Sequence, residues 1–250
     1  MKIDPIHQFN IEPLFTIGHI GNQTIAFTNS SAYMFAAVAL ISILMIGGVA
    51  GRQLVPGRFQ SIAEISYEFV ATTIRSTAGA EGMKFFPLIF SLFMFICVSN
   101  LVGIIPYTFT ISSHIIVTAA LALLVFFTVL IYGLYKNGLK FFKIFVPSGV
   151  PIYILPLVMF IEILSFFLRP VSHSVRLFAN MLAGHIALAV FASFIPMLAG
   201  LGIAGYLGAV LPLGMVIALT ALELLVAFLQ AYVFTILTVI YINDAIHPGH

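Results

Sequence analysis

Apolar residues run through this chain in long uncharged blocks, and polar residues fall between the blocks or along one face within them. Residues 32–50 carry no charge and are about long enough to cross a bilayer core of roughly 30 Å as a helix. Arg52 and Arg58 follow. The pattern then changes. Over about 59–79, Ile62, Ile65, Phe69 and Ile74 recur at near-helical spacing, with Glu64, Glu68 and Arg75 among them. This predicts an amphipathic helix lying on the membrane surface. Ser61 and Glu64 read as its capping box and Gly79 as its stop. From Phe85 to Tyr135 there is no Lys, Arg, Asp or Glu. Gly103, Pro106 and the polar cluster from Thr108 to His114 break that run into spans near 85–105 and 114–135. Lys136, Lys140 and Lys143 come next.

The last two blocks, Pro151 to Pro196 and Tyr206 to about Ile246, are too long for one perpendicular crossing. A continuous helix of about 45 residues is about 68 Å long. Either each helix breaks, at Pro170 or Pro212, or both cross at a steep tilt. Two such helices packed side by side form a long tilted hairpin over 151–246. The expected fold class is therefore an all-α polytopic membrane protein with about five crossings and one surface helix. Residues 1–30 read as an external N-terminal tail without the early apolar core of a signal peptide, and 31–250 as a single membrane domain. No internal repeat is visible, which disfavours an inverted-repeat transporter.

Basic residues orient the chain. Arg52, Arg58, Lys136, Lys140 and Lys143 mark the inner side, and the loop at 106–114 has no Lys or Arg. The expectation is an outside N-terminus and an inside C-terminus, which in a bacterium means periplasm and cytoplasm.

Composition agrees. Of 250 residues, 62% are hydrophobic and 7% charged, against about 25% charged in soluble domains. Mean hydropathy is +1.17. A net charge of +2 is too small for a nucleic-acid surface. The single cysteine, Cys97, can form no internal disulfide. With no Trp, any interfacial aromatic belt comes from Tyr and Phe.

Against this background the segment 162–185, EILSFFLRPVSHSVRLFANMLAGH, stands out. At about 100° per residue, Arg169, His173, Arg176 and Asn180 lie within about 40° of the azimuth of Glu162. They form one polar stripe at bilayer depth. An arginine there costs from about 3 to over 10 kcal/mol, so it needs a partner, a wet cavity or a use for its charge. By helical rise, Glu162 lies toward the inside, Arg176 about 21 Å further along, and His185 about 13 Å beyond that. On the returning helix Glu223 lies toward the outside and Gln230 two turns deeper on the same face. Antiparallel pairing brings His185 close to Glu223 and sets Gln230 near the depth of Arg176.

A carboxylate in the inner half, a guanidinium in the middle and an imidazole–carboxylate pair in the outer half suit proton movement with a central barrier. Carboxylates and imidazoles exchange protons; arginine stays charged. Plainer roles compete with this one. Arg169 serves equally as a structural or snorkelling residue, His173 as a core histidine, Glu162 as a partner of a Ser or of Arg169, and Asn180 and Gln230 as helix–helix glue. Asn100, Ser112, Ser113 and His114 read as loop polarity, and Asp244 as part of the tail. No HExxH, Cys pair or GxSxG occurs, so neither a metal site, a cofactor nor a nucleophile is expected.

RPVSHSVRLFANMLAGH, with Glu223 and Gln230 in ALELLVAFLQAYVFTILTVIYI and NLVGIIPYTFT at 100–110, resembles the subunit a family of F-type ATP synthases over nearly the whole chain. The resemblance implies a non-catalytic, proton-translocating stator subunit. Arg176 matches the family's essential arginine, which faces a rotating ring of c subunits whose carboxylates carry protons. Asn180 matches the asparagine one turn on. Glu162, His185, Glu223 and Gln230 match polar positions of two aqueous half-channels, and Arg169 and His173 on the same helix are candidates for the same proton-translocation path. Implied partners are the c-ring, the subunit b peripheral stalk, the rest of the synthase and the lipid bilayer, with no nucleic acid; the implied location is a bacterial inner membrane. Many bacterial relatives carry Glu at the position of His185 and His at that of Glu223. The reversed pair here is similar to mitochondrial-type members and suggests an alphaproteobacterial-type source. A self-contained ion channel or secondary transporter is the alternative expectation.

Overall fold

The structure is a computed structural model that describes residues 10–20, 23–50, 53, 55–105, 108–146, 151 and 153–247. The topology marker Arg52 and the helix breaker Pro106 lie outside the described residues.

The N-terminal stretch expected as a tail carries an antiparallel hairpin, β1 (Pro13–Ile20) and β2 (Gln23–Thr28). Phe15 stacks on Phe27 at 5.0 Å, and Phe27 on Phe35 at 6.0 Å. Asn29 closes the base: its Nδ2 donates to the Asn10 carbonyl at 3.0 Å and its Oδ1 accepts from the Glu12 N–H at 3.2 Å. Asn29 also opens α1 (Asn29–Ala50).

The amphipathic helix is α2 (Arg58–Gly82). Its start differs from the expected Ser61–Glu64 box. Gly57 is the N-cap and no side chain caps the helix. The Ser61 N–H donates to the Gly57 carbonyl at 2.8 Å, already inside the first turn, and Glu64 accepts from Gln60 Nε2 at 2.8 Å. The expected stop at Gly79 is a real break: its backbone is non-helical, with a φ of +65° that a glycine adopts without a Cβ clash, and a second short helical stretch continues across the kink to Gly82. A 3₁₀ turn at Met83–Phe85 leads into α3 (Phe86–Gly103), and a second at Ile111–Ser113 precedes α4 (Ile115–Asn137).

After a 3₁₀ stretch at Gly138–Phe145 come α5 (Leu155–Ala199) and α6 (Ile203–Ile246). Neither breaks. Proline removes one intrahelical donor, yet α5 runs through Pro170 and α6 through Pro212. Uninterrupted helix is what a bilayer favours, because no water there satisfies freed backbone groups. Five helical stretches among the described residues are long and apolar enough to cross a membrane.

Packing groups the chain into two compact units, and α1, α3, α5 and α6 each contribute to both. The first comprises Met1–Ser42, Phe95–His114 and Leu177–Gln230. Its buried side chains include Ile96, Asn100, Ile111 and Leu177. The second comprises Ile43–Met94, Ile115–Arg176 and Ala231–His250. There Phe126, Phe141 and Phe145 surround the Phe166 ring at 5.2, 6.2 and 5.4 Å, and Phe69 bridges Phe93 and Tyr232 at 5.5 Å each. Asn137 Nδ2 donates to the Ala245 carbonyl at 2.7 Å. Large apolar side chains such as Ile43, Ile46, Leu207 and Leu211 are 69–77% exposed. Apolar surface on that scale is stable against lipid rather than water.

Candidate functional site

Within the first unit, α5 and α6 bring together Asn180, Gly184, His185, Glu223 and Gln230. Asn180 Nδ2 donates to Gln230 Oε1 at 2.8 Å, and Gln230 is buried. The two amides, each read as helix–helix glue, meet in a direct hydrogen bond between α5 and α6. Glu223 lies against Gly184. A Cβ at that position would come within 3.1 Å of the carboxyl carbon, so any other residue there requires the carboxyl end of Glu223 to shift. Both carboxyl oxygens of Glu223 are buried and accept no hydrogen bond among the described residues.

His185 does not pair with Glu223 through a hydrogen bond. Its Nε2 lies 3.2 Å from Thr110 Oγ1, in the segment between α3 and α4. A cavity of about 300 Å³ reaches His185, lined also by Gly103, Thr108, Ala189 and Thr220. Glu223 follows Thr220 by one helical turn on α6.

The segment read as loop polarity is instead buried structure. Ser112 Oγ donates to Asn100 Oδ1 at 2.7 Å, and Asn100 Nδ2 donates to the Ala227 carbonyl at 3.4 Å. Asn100, Thr110, Ser112 and Ser113 are all buried. His114, outside the helices, stacks on Phe109 at 4.9 Å, and burial pushes its imidazole below the usual histidine range. Thr110 is a polar contact of His185 that sequence reasoning missed. The one available signal was the density of hydroxyls from Thr108 to Ser113, which loops also show.

The second unit holds the other end of the stripe. Arg169 Nη1 donates to Asp244 Oδ2 at 2.9 Å, with the guanidinium carbon 4.7 Å from the Tyr241 ring centre. Asp244 therefore belongs to α6 as an ion-pair partner and not to a solvated tail, and Arg169 does not pair with Glu162. His173 is buried between Phe234 and Tyr241, with ring centres at 4.3 and 5.4 Å. Its Nε2 lies 3.3 Å from the Phe234 carbonyl, an acceptor only, so that nitrogen carries the hydrogen. Beside it Thr118 and Ser174 share a hydroxyl hydrogen bond at 3.0 Å. Arg169 and His173 are thus committed to fixed contacts. Glu162 and Arg176 are not: neither makes a hydrogen bond or ion pair among the described residues, and Arg176 is exposed.

The sequence profile of the ATP synthase A chain family matches residues 31–243. The chain belongs to that family. It is similar to ATP synthase subunit a of Rhodopseudomonas palustris strain BisB18, 85% identical over 99% of this chain and 100% of the relative. The subunit a of Bradyrhizobium diazoefficiens is 82% identical over the whole of both chains. That of Nitrobacter winogradskyi is 80% identical over 99% of this chain and all of the relative. The family match covers α1 to α6 almost completely, so the helical architecture, the buried Glu223 and the Asn180–Gln230 bond all lie on family ground. The hairpin lies outside it.

Proposed function

We propose that this chain is the proton-translocating stator subunit of a bacterial F-type ATP synthase, with no bond-making chemistry of its own. The observation that carries the reading is Glu223. A buried carboxyl group without a hydrogen-bond partner is costly. Membrane proteins retain such a group where a proton must be taken and released. Here it lies in the same compact unit as a cavity that reaches His185. Membership of the ATP synthase A chain family supports the same reading.

Protons enter from the outside past Glu223 and His185 and load a carboxylate on a ring of c subunits. After nearly a full rotation they leave on the inner side near Glu162. Arg176, which makes no hydrogen bond or ion pair among the described residues, faces the ring. Its guanidinium stays protonated at any working pH. It attracts an arriving carboxylate, holds it ionised and repels a proton crossing directly. Asn180 and Gln230 brace α5 against α6 in the first unit, while Arg169 and His173 anchor α5 to α6 in the second. The subunit b stalk holds the chain against rotation in the bacterial inner membrane, with the N-terminus periplasmic and the C-terminus cytoplasmic.

The test is Arg176→Ala in the assembled complex in inverted membrane vesicles. ATP-driven acidification is expected to vanish while passive leak rises. Arg176→Lys is expected to fail too, because a lysine desolvated between this chain and the ring can lose its proton, whereas arginine keeps its own. Coupled pumping at the normal rate by either variant overturns the barrier role.

A further inference from the structure

We infer that Thr110 is a positioning residue for His185: its hydroxyl holds the imidazole in one orientation at the cavity through both of its protonation states. This rests on the reading above that His185 takes part in proton entry.

The placement of Thr110 is set independently of α5, the helix that carries His185. Gly103 of α3 makes room for it; a Cβ there would lie 2.9 Å from Thr110 Cγ2. Ser113 Oγ donates to the Thr110 carbonyl at 2.6 Å and fixes the 3₁₀ turn. The neighbouring Ser112–Asn100–Ala227 chain of hydrogen bonds ties that turn to α3 and α6. Thr110 itself is 2% exposed, and a β-branched side chain is stiff at χ1. The hydroxyl is therefore a fixed point toward which the ring of His185 turns.

A hydroxyl is suited to this task in a way that an amide or carboxylate is not. It both donates and accepts. When Nε2 is bare, the Thr110 hydroxyl donates to it. When Nε2 carries a hydrogen, the same oxygen accepts, at the same 3.2 Å contact. The ring keeps its orientation as the proton comes and goes, and the other ring nitrogen stays aimed in one direction. A valine of the same shape fills the space beside Gly103 and removes only the polar contact.

The experiment measures ATP-driven acidification of inverted vesicles for Thr110→Val, Thr110→Ser, His185→Ala and the double variant Thr110→Val/His185→Ala, each normalised to assembled complex. Loss of one positioning hydrogen bond is expected to slow Thr110→Val about fivefold, and Thr110→Ser is expected to restore most of the rate. The double variant is expected to be no slower than His185→Ala alone, since a residue acting through another adds nothing once that other is gone. A normal rate in Thr110→Val, or an equal further slowing on the His185→Ala background, overturns the inference and leaves the function intact. A normal rate in His185→Ala overturns the role of His185 and with it that of Thr110. If Thr110→Val does not assemble, Thr110→Ala takes its place in the same comparison.

Discussion

The carboxyl group of Glu223 in α6 rests on the backbone of Gly184 in α5, at the one position where that helix carries no Cβ to displace it. The acid is buried by this contact without being hydrogen-bonded by it. Glycine in a helix interior costs about 0.5–1 kcal/mol relative to alanine, and the close approach of Glu223 is what that cost secures.

Gly184→Ala is expected to push the carboxyl group aside and slow ATP-driven acidification by about tenfold, equivalent to roughly 1.4 kcal/mol. Gly184→Val, with a larger and stiffer side chain, is expected to abolish it. Assembly is followed by immunoblotting of the whole complex. Full activity in Gly184→Val would show that the space beside Glu223 is not needed.

The Asn180–Gln230 bond predicts non-additivity. Gln230→Leu leaves the Asn180 amide without its acceptor, and Asn180→Leu leaves Gln230 buried without its donor. Polar pairs between membrane helices couple by about 0.6 kcal/mol on average. The double variant is expected to lose less thermal stability, in detergent, than the sum of the singles. Strict additivity would place the two amides in separate roles.

Arg169 and Asp244 offer a test of a structural charge in the stripe. The pair is partly exposed, with side-chain exposures of 21% and 30%, so its worth is modest, about 1 kcal/mol after solvent screening. Asp244→Asn removes the charge but keeps an acceptor, and is expected to lower the apparent melting temperature slightly. Asp244→Leu leaves the guanidinium without an acceptor and is expected to lower it more. Both are expected to retain coupled pumping, in contrast to any change at Arg176. Loss of pumping at normal assembly in Asp244→Asn would move Arg169 from anchor to proton path.

Topology is tested by labelling from each side of sealed vesicles. In a Cys97→Ser background, Lys2→Cys is expected to react only from the periplasmic face and His250→Cys only from the cytoplasmic face. Reaction of both from one side would exclude an odd number of crossings.

The sequence by itself determined the helices and the stripe. A bilayer core demands long uncharged helical runs, so α4 and the unusual lengths of α5 and α6 could be read directly from where charge is missing. Helical periodicity placed Glu162, Arg169, His173, Arg176 and Asn180 on one face because 3.6 residues per turn is a local property. The family resemblance carried by RLFANMLAGH rested on two of these residues, Arg176 and Asn180, together with His185. The hairpin was legible in principle: Gly21 and Asn22 separate two β-prone runs, a recognised turn signal, yet the stretch read as a tail. The Ser61–Glu64 box misled because the motif fits equally well one turn inside a helix that begins at Arg58.

Tertiary structure alone decided who touches whom. Whether Pro170 and Pro212 break their helices depends on surroundings that no local pattern encodes. That His185 turns to Thr110, that Glu223 rests on Gly184, and that Arg169 takes Asp244 all depend on the rotation and register of one helix against another. A shift of one residue turns a side chain by about 100°, and the sequence holds no local term that fixes it. Packing fixes it, through the volumes that glycines such as Gly103 and Gly184 leave open and the few hydrogen bonds that buried polar groups must find.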